Sequence, residues 1–329
     1  MITRPTLHKA TRILNRRAHS SVSADELSHF SSLASSWWDP MGPSRVLHLM
    51  NPLRHDFIAS CLASGPPSTT NITSDNTSDK HDTNSNKNNK NTLRYLDVGC
   101  GGGIFAESLA RTIPSTPNAS ATRTQAGSIT AIDPTTALIQ IARDHARTDP
   151  HVTSHVQTGK FTYRNCTLED LIAEKQQQQG GDGEKFDVVT LFEVIEHVDT
   201  NASSSPLGFL TNCLRLLRPG GWLIGSTIAR TFPSFLVNQV IAEAPWPVGV
   251  VPRGTHEWSK FVNPDELEGW AQEGLMRAAD KGGVVAGAQA LDGMRWVCEG
   301  VVYFPGFGWK LVPGSENWGN YFWAVRKGV

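Results

Sequence analysis

The sequence predicts an α/β protein whose mostly parallel β-sheet carries helices on both faces. Short strand-like runs alternate with helix-like runs between residues 93 and 227, and this alternation is typical of parallel sheets. A glycine-rich turn also joins the first strand to the first helix. The strands are expected at 94–98, 128–133, 161–165, 186–192 and 221–227, with helices at 104–111, 135–147, 168–175 and 206–217. Residues 320–326 predict a last, aromatic-rich strand, whereas 274–319 give no clear assignment.

The composition limits the partners and the compartment. The chain has 329 residues, with 30 Lys and Arg against 31 Asp and Glu, and a net charge of −1. This balance provides no positive field for nucleic acid, so we expect no nucleic-acid partner. The five cysteines are scattered and form no C-x-x-C pair, which favours a reducing compartment and no zinc cluster. No apolar run approaches the length that spans a bilayer.

Residues 1–24 have the composition of a mitochondrial presequence. Five basic residues precede the first acid, Asp25, and Ser, Thr and Ala fill the gaps between apolar residues. An Arg-rich, Ser-rich and acid-poor start is typical of such presequences, and the lack of a long apolar stretch disfavours a secretory signal. A disordered basic tail is the alternative explanation of this composition.

Two segments separate this start from the predicted sheet. Residues 25–64 predict an N-terminal helical cap, because Phe30, Leu33, Trp37 and Trp38 recur at a spacing of roughly three to four residues. Residues 65–92 are rich in Asn, Ser, Thr, Asp and Lys. A segment of this kind buries too little apolar surface to offset the entropy of ordering, so we expect a disordered polar insert.

The domain over 93–329 begins with the most informative motif, Gly-x-Gly-x-Gly at Gly99, Gly101 and Gly103. Glycines let the backbone turn tightly and approach a ligand, and the helix that follows presents unpaired N–H groups. Together with Asp133, this pattern resembles the first motif of S-adenosylmethionine (SAM)-dependent methyltransferases. Gly99 and Gly101 are therefore candidate cofactor-binding residues. A generic strand–helix turn is one alternative, and a nicotinamide site, which has Gly-x-Gly-x-x-Gly spacing, is the other.

Asp133 ends the second predicted strand. In nucleoside-binding α/β folds, an acid at this place accepts hydrogen bonds from ribose hydroxyls, and ligands bind at the carboxyl edge of the sheet. We therefore expect Asp133 to bind the cofactor. The alternative is a capping role, because Asp-Pro commonly begins a helix.

Three polar residues follow the fourth predicted strand. Glu193, Glu196 and His197 stand at i, i+3 and i+4, a spacing that places them on one helical face. At the edge of the sheet they are candidate ligands of Mg²⁺, which prefers oxygen donors. Capping and structural hydrogen bonding are the alternative. His197 is also a candidate general base.

An apolar segment over 228–262 predicts a lid. It contains Phe232, Phe235, Leu236 and Trp246, which a solvated loop does not need. A lid of this kind suits a hydrophobic substrate and contact with a membrane. His256 lies within this segment and is a weaker candidate base. The alternative is an additional helix packed on the core.

These features together resemble the O-methyltransferases of ubiquinone (coenzyme Q) biosynthesis, whose eukaryotic members are mitochondrial. The resemblance covers most of the chain from about Phe30. It rests on Ser-Trp-Trp-Asp at 36–39, Leu-His-Leu-Met-Asn-Pro-Leu-Arg at 47–54, the stretches 96–103 and 186–198, Arg-Pro-Gly-Gly at 218–221, and Pro-Arg-Gly-Thr-His-Glu-Trp-Ser-Lys-Phe-Val-Asn-Pro at 252–264. The Trp-Trp-Asp, Asn-Pro-Leu-Arg and lid motifs are the most specific of these.

The resemblance implies the class I SAM-dependent methyltransferase fold, with a seven-stranded, mostly parallel sheet. It also implies SAM binding by Arg54, Gly99, Asp133 and Phe192, and Mg²⁺ binding by Glu193, Glu196 and His197. The implied substrates are polyprenylated catechols of the 3,4-dihydroxy-5-polyprenylbenzoate and demethylubiquinol type. Peripheral attachment to the matrix side of the inner membrane and contact with other coenzyme Q biosynthesis proteins are further expectations.

Two other functions stay open. The chain is alternatively a SAM-dependent O-methyltransferase of another small phenol, or a non-catalytic scaffold of the coenzyme Q biosynthetic complex. The intact glycines, Asp133 and the acidic–His cluster argue against a scaffold. Residues 277–299 fit the family poorly, which leaves the antiparallel edge of the sheet undefined.

Overall fold

The computed structural model describes residues 21–64, 92–116, 122–177, 185–199, 205–243, 257–279, 289–304 and 306–328. Several sequence predictions fall largely outside these ranges. They are the presequence 1–24, of which 21–24 are described, the polar insert 65–92, of which only Thr92 is described, and His256 in the lid.

The described residues form one sheet of eight strands in the spatial order β3-β2-β1-β4-β5-β8-β6-β7. The strands are β1 (Leu93–Val98), β2 (Ala126–Asp133), β3 (Phe161–Asn165), β4 (Phe186–Phe192), β5 (Leu217–Ile228), β6 (Arg295–Phe304), β7 (Gly308–Leu311) and β8 (Asn320–Arg326). The first five are parallel to one another, and β8, β6 and β7 pair antiparallel. The mostly parallel sheet is confirmed, with one strand more than the seven expected, because the hairpin β6–β7 extends the edge.

Helices cover both faces of this sheet. They are α1 (Ala24–Leu33), α2 (Arg45–Ala63), α3 (Ile104–Ala110), α4 (Thr136–Ala146), α5 (Pro150–Gln157), α6 (Leu168–Gln177), α7 (Pro206–Leu216), α8 (Phe232–Ser234) and α9 (Pro264–Ala279). A π-helix, Phe235–Ile241, continues α8, and short 3₁₀ turns lie at Ala34–Ser36, Ile195–His197 and Trp258–Lys260.

Two buried apolar clusters lie on opposite faces of the sheet. Successive side chains of a strand point to opposite faces, and Tyr95 and Leu96 of β1 accordingly belong to different clusters. The first cluster includes side chains of α2, α3, α4 and α5, namely Phe57, Leu109, Ile139 and Val152. The second includes side chains of α6, α7 and α9, namely Leu171, Leu210 and Leu275.

The elements α5, α9, β6 and β7 lie where no helix or strand was predicted from the sequence. Helix α5 begins after Asp149, whose side chain accepts hydrogen bonds from the N–H groups of His151 and Val152, so a capping signal was present. Strand β6 was obscured by glycine, which weakens strands. A Cβ on Gly300 would lie 2.2 Å from Ser315 Oγ, so the close approach of the 315 loop explains this glycine.

Strand β5 also begins earlier than predicted, at Leu217 instead of residue 221. The predicted turn at Pro219 and Gly220 lies inside the strand, opposite a register shift between Phe186 and Val188 of β4. Bulges of this kind let a sheet accommodate proline. No helix among the described residues combines the length and the apolar character needed to cross a bilayer.

Candidate active site at the carboxyl edge of the sheet

A cavity of about 570 Å³ opens at the carboxyl ends of the parallel strands. This is the edge where α/β sheets bind ligands. The cavity walls include every described residue that the sequence predicted for the site: Arg54, Gly99, Gly101, Asp133, Phe192, Glu193, Glu196 and His197. The glycine motif and the acidic–His cluster therefore face one shared space.

Residues 99–103, the glycine loop, need glycine for two separate reasons. Gly99, Gly101 and Gly103 have φ values of +71°, +53° and +88°, which strain residues with a Cβ. A Cβ on Gly99 would also lie 2.7 Å from Val194 Cγ2. The N–H groups of Gly99 and Cys100 donate to the carbonyl of Ile132 at 2.9 and 3.0 Å, which joins the loop to β2.

Asp133 holds the glycine loop to the start of α4. Its Oδ2 accepts a hydrogen bond of 2.9 Å from the N–H of Gly101, and its Oδ1 accepts one of 2.7 Å from the N–H of Thr135. Burial raises the pKa of Asp133, and these backbone donors partly counteract the rise. Asp133 therefore has a local structural role, although the N-cap residue of α4 is Thr135 and not Asp133. The ribose contact stays a prediction.

Arg54 brings a buried cation to the cavity from α2. Its guanidinium carbon lies 4.8 Å from the centre of the Phe192 ring, and Nη1 donates to Asn51 Oδ1 at 3.1 Å. Burial lowers the pKa of Arg54 to about 10, against the opposing charges of Glu193 and Asp97. Its Nε is buried without a hydrogen-bond partner among the described residues, so this cation can still accept an anionic ligand.

Asp97 is a site residue that the sequence reasoning missed. It is only 3% exposed and lines the cavity. Its Oδ1 accepts a hydrogen bond of 2.7 Å from Thr190 Oγ1, while Oδ2 has no partner among the described residues. Burial raises its pKa to about 7, although Thr190 and Arg54 favour the charged form. An acid inside an apolar strand, two residues before Gly99, was the available signal.

The acidic pair is held by residues of β5. Glu193 has a φ of +57°, which is uncommon for a residue other than glycine and is typical of functional sites. Its Oε1 accepts a hydrogen bond of 2.6 Å from Ser226 Oγ. Glu196 Oε2 accepts one of 2.8 Å from Thr227 Oγ1. Burial and the charge of Glu193 raise the pKa of Glu196 to about 7.

His197 is bound by the N-terminal cap. Its Nδ1 lies 3.2 Å from Glu26 Oε2, and Phe30 meets the ring edge to face at 5.0 Å. Burial lowers the pKa of His197, but Glu26, Glu196 and Glu193 outweigh this effect and raise it. Its hydrogen bond lowers the pKa of Glu26 to about 2, assisted by Lys260, whose Nζ lies 3.0 Å from Glu26 Oε1. Sequence reasoning missed Glu26, because it lies far away in the chain.

The donor types around the cavity suit Mg²⁺ only in part. Glu193 and Glu196 supply the carboxylate oxygens that this ion prefers. However, no three His, Cys, Asp or Glu side chains within the described ranges are arranged to hold a metal, and His197 Nδ1 is engaged by Glu26. The two carboxylates are of the donor type that the ion prefers, whereas the expected three-residue set is not assembled among the described residues.

Comparison with known proteins identifies the family. A family model described as a methyltransferase domain matches residues 73–274. The mitochondrial ubiquinone biosynthesis O-methyltransferase of Candida albicans is 33% identical and covers 98% of this chain and 90% of its own length. Its bacterial counterpart in Dinoroseobacter shibae is 36% identical, over 80% of this chain and 86% of its own. The counterpart in Actinobacillus pleuropneumoniae serotype 5b is 34% identical, over 80% and 88%.

These matches extend over the glycine loop, the cavity and most of the remaining chain. They confirm the SAM-dependent methyltransferase fold expected from the motifs, and they agree with a cavity built at the carboxyl edge of a parallel sheet. The chain belongs to the ubiquinone biosynthesis O-methyltransferase family of SAM-dependent methyltransferases.

Proposed function

We propose that this enzyme transfers the methyl group of SAM to a phenolic oxygen of a polyprenylated catechol in ubiquinone biosynthesis. The observation that carries the proposal is the single cavity shared by the glycine loop and the Glu193–His197 cluster. A methyl donor and a hydroxyl acceptor must meet in line for the transfer, so both need to occupy one space.

The methionine end of SAM fits the charged pair beside the glycine loop. Asp97 offers a carboxylate with one oxygen unpartnered among the described residues, which suits the ammonium group of SAM. Arg54 offers a buried guanidinium for its carboxylate group. Asp133 stands at the end of β2, where the ribose hydroxyls are expected. In these roles the three residues would hold the methionine end and the ribose of SAM beside the glycine loop.

The protein has to align SAM with the catechol and to remove the proton of the catechol hydroxyl, because the sulfonium carbon of SAM is already activated. A catechol hydroxyl is a weak nucleophile, with a pKa of roughly 10. With Nδ1 engaged by Glu26, Nε2 of His197 is the nitrogen assigned to take the phenolic proton. The phenolate oxygen then bonds to the methyl carbon as the carbon–sulfur bond breaks, which leaves S-adenosylhomocysteine. His256, the second candidate base, lies outside the described residues.

Magnesium belongs to the proposal through Glu193 and Glu196. A bound Mg²⁺ would lower the pKa of the phenol and hold both catechol oxygens. Methyl transfer should be measured in strong chelator, with and without added Mg²⁺, and in Glu193→Ala with Glu196→Ala. Full activity under chelation would show that the reaction does not need the ion. His197 and Glu26 would then be the residues that activate the phenol.

Much of the cavity wall outside the glycine loop and the acidic pair is apolar. Val301, Tyr303 and Trp309 of the β6–β7 hairpin line it, together with Val46 of the cap. Trp309 Nε1 donates to the Val46 carbonyl at 2.9 Å, which fixes this wall. Apolar walls of this kind favour a ligand with a hydrocarbon tail.

A panel of catechols with tails of increasing length tests the substrate class. We expect kcat/KM to rise with tail length and the rise to be lost in Val301→Trp, which fills the apolar wall. The exposed Phe307→Ala serves as the matched hairpin control. Equal activity on tailless phenols would favour the alternative enzyme, a methyltransferase of another small phenol.

Location in mitochondria, as a peripheral protein on the matrix side of the inner membrane, completes the proposal. The basic start of the chain and the mitochondrial relative in Candida albicans support the compartment. Exposed apolar side chains of α8 and the π-helix support the membrane contact, namely Phe232, Leu236, Val237 and Val240. A ubiquinone-deficient methyltransferase null strain should be complemented with this chain. Recovery of ubiquinone tests the rescue, and fractionation of the strain tests the location and the association with other coenzyme Q enzymes.

A further inference from the structure

Two tryptophans of the N-terminal cap lie directly on the glycine loop. A Cβ on Gly102 would lie 2.3 Å from Trp37 Cδ1, and a Cβ on Gly101 would lie 2.7 Å from Trp37 Cζ2. Trp37 also lines the cavity. The loop therefore needs these glycines to make room for an indole ring as well as for a ligand.

Trp38 also contacts the glycine loop, through a hydrogen bond from its side chain to the backbone of the loop. Its indole Nε1 donates a hydrogen bond of 2.9 Å to the carbonyl of Gly102. The two neighbouring indoles thus contact the loop in two ways, by packing against its glycines and by fixing one of its peptide groups. The position of the cap and the conformation of the loop are coupled at this point.

Trp38 is in turn held by a histidine of α4. The rings of Trp38 and His145 stack with centroids 3.3 Å apart and planes within 5°. His145 Nδ1 lies 2.9 and 3.1 Å from the two carboxylate oxygens of Glu107. Glu107 is fully buried on α3, where Arg111 also contacts it at 3.1 Å. The bond to a buried carboxylate fixes the plane of the imidazole on which Trp38 rests.

We propose that Glu107 and His145 are positioning residues for cofactor binding. Acting through Trp38, they hold the cap against the glycine loop and keep Trp37 in place as a wall of the SAM pocket. Neither residue is part of the described cavity wall, so their effect on SAM passes through the indoles. The inference rests on the proposed function in one respect, namely that the glycine loop binds SAM.

Three substitutions separate the contacts that connect Glu107, His145, Trp38 and the glycine loop. Trp38→Phe keeps an aromatic face for His145 but removes the donor to Gly102. His145→Ala removes both the stacking face and the partner of Glu107, and His145→Phe restores only the face. One lost hydrogen bond corresponds to a roughly three- to tenfold change in affinity. We expect the SAM Kd, measured by calorimetry, to rise by this factor in Trp38→Phe and at least as much in His145→Ala, with a smaller rise in His145→Phe.

The control is His151→Ala on α5, whose ring contacts Ser115 and His155 outside the cavity wall. Its SAM Kd should equal that of the wild type. The KM for SAM should rise more than the KM for the phenolic substrate. A general loss of folded protein would change neither constant, because it lowers only the active fraction.

Hydrogen exchange of the protein without SAM gives a second readout that does not depend on catalysis or ligand. We expect faster exchange at residues 99–107 and 24–38 in His145→Ala and Trp38→Phe, and none of this acceleration in His151→Ala. Unchanged exchange together with an unchanged SAM Kd in folded His145→Ala would overturn the inference. Absence of SAM binding by the wild-type protein would instead overturn the proposed function, while the exchange result would still decide whether His145 holds the cap on the loop.

Discussion

The buried carboxylate of Asp97 reduces stability in the form that we expect to bind SAM. Its pKa is raised by burial from an ordinary value of 3.8 to about 7. The folded protein thus holds this proton more tightly than the unfolded chain does. Stability from this group is greatest in acid and falls as pH rises from the unfolded pKa through the folded one. At a pH above both pKa values, the shift lowers the free energy of unfolding by about 4 kcal/mol.

Asp97→Asn measures this cost directly. Asparagine retains an acceptor for Thr190 Oγ1, which donates to Oδ1 at 2.7 Å, and it carries no charge at any pH. Between about pH 5.5 and about pH 8.5 we expect the free energy of unfolding of the wild type to fall by about 2 kcal/mol more than that of the variant. Urea denaturation without SAM at both pH values measures the difference. Asp144→Asn, at an exposed position bonded to Arg147, is the matched control.

The same substitution should weaken SAM binding, although it removes the loss of stability at high pH. If Asp97 pairs with the ammonium group of SAM, the variant loses a charge-assisted hydrogen bond, and its Kd should rise by roughly ten- to a hundredfold. A wild-type affinity that weakens as pH falls below about 7, with a flat profile in the variant, is the accompanying signature. Equal pH slopes of stability in wild type and Asp97→Asn would refute the reasoning about burial, and equal SAM affinity would refute the pairing.

Three other substitutions test separate parts of the site and core. Gly101→Ala places a Cβ 2.7 Å from Trp37 at a φ of +53°. The SAM Kd, measured by calorimetry, should therefore rise at least tenfold, which corresponds to about 1.4 kcal/mol. Arg54→Lys loses the planar group that lies 4.8 Å from the Phe192 ring, so the KM for SAM should rise more than kcat falls. Leu210→Ala creates a void in a fully buried position and should lower the free energy of unfolding by about 2–5 kcal/mol. Its SAM Kd should stay unchanged, and a changed Kd would show that the cavity depends on that face of the sheet.

Local sequence signals were sufficient to predict the central, parallel part of the fold and one half of the candidate site. The glycine loop, Asp133 and the Glu193–His197 cluster each follow a strand whose apolar run is visible in the sequence. Their meeting at one edge then follows from parallel pairing, since carboxyl ends of parallel strands lie together. Chain order alone thus brought the glycine loop, Asp133 and the Glu193–His197 cluster to one cavity.

The other half of the site depends on contacts between distant parts of the chain. Glu26 meets His197 across 171 positions, and Trp38 meets Gly102 across 64. No spacing rule connects such residues, because their separation is set by the tertiary packing of the cap. The charge inside β1, Asp97, was detectable locally, as an acid that an apolar strand would otherwise exclude.

The same topology predicts which connections of the sheet can lengthen at little cost. The connections from α2 to β1, from α3 to β2 and from α6 to β4 each join a helix to the amino end of the following strand. The cavity is built from the opposite ends of those strands. Loop closure costs only about 0.6 kcal/mol for each doubling of length, so connections on the amino side can lengthen at little cost. Connections on the carboxyl side carry the glycine loop and the acidic pair, which line the cavity, so we expect the ligand to constrain their lengths.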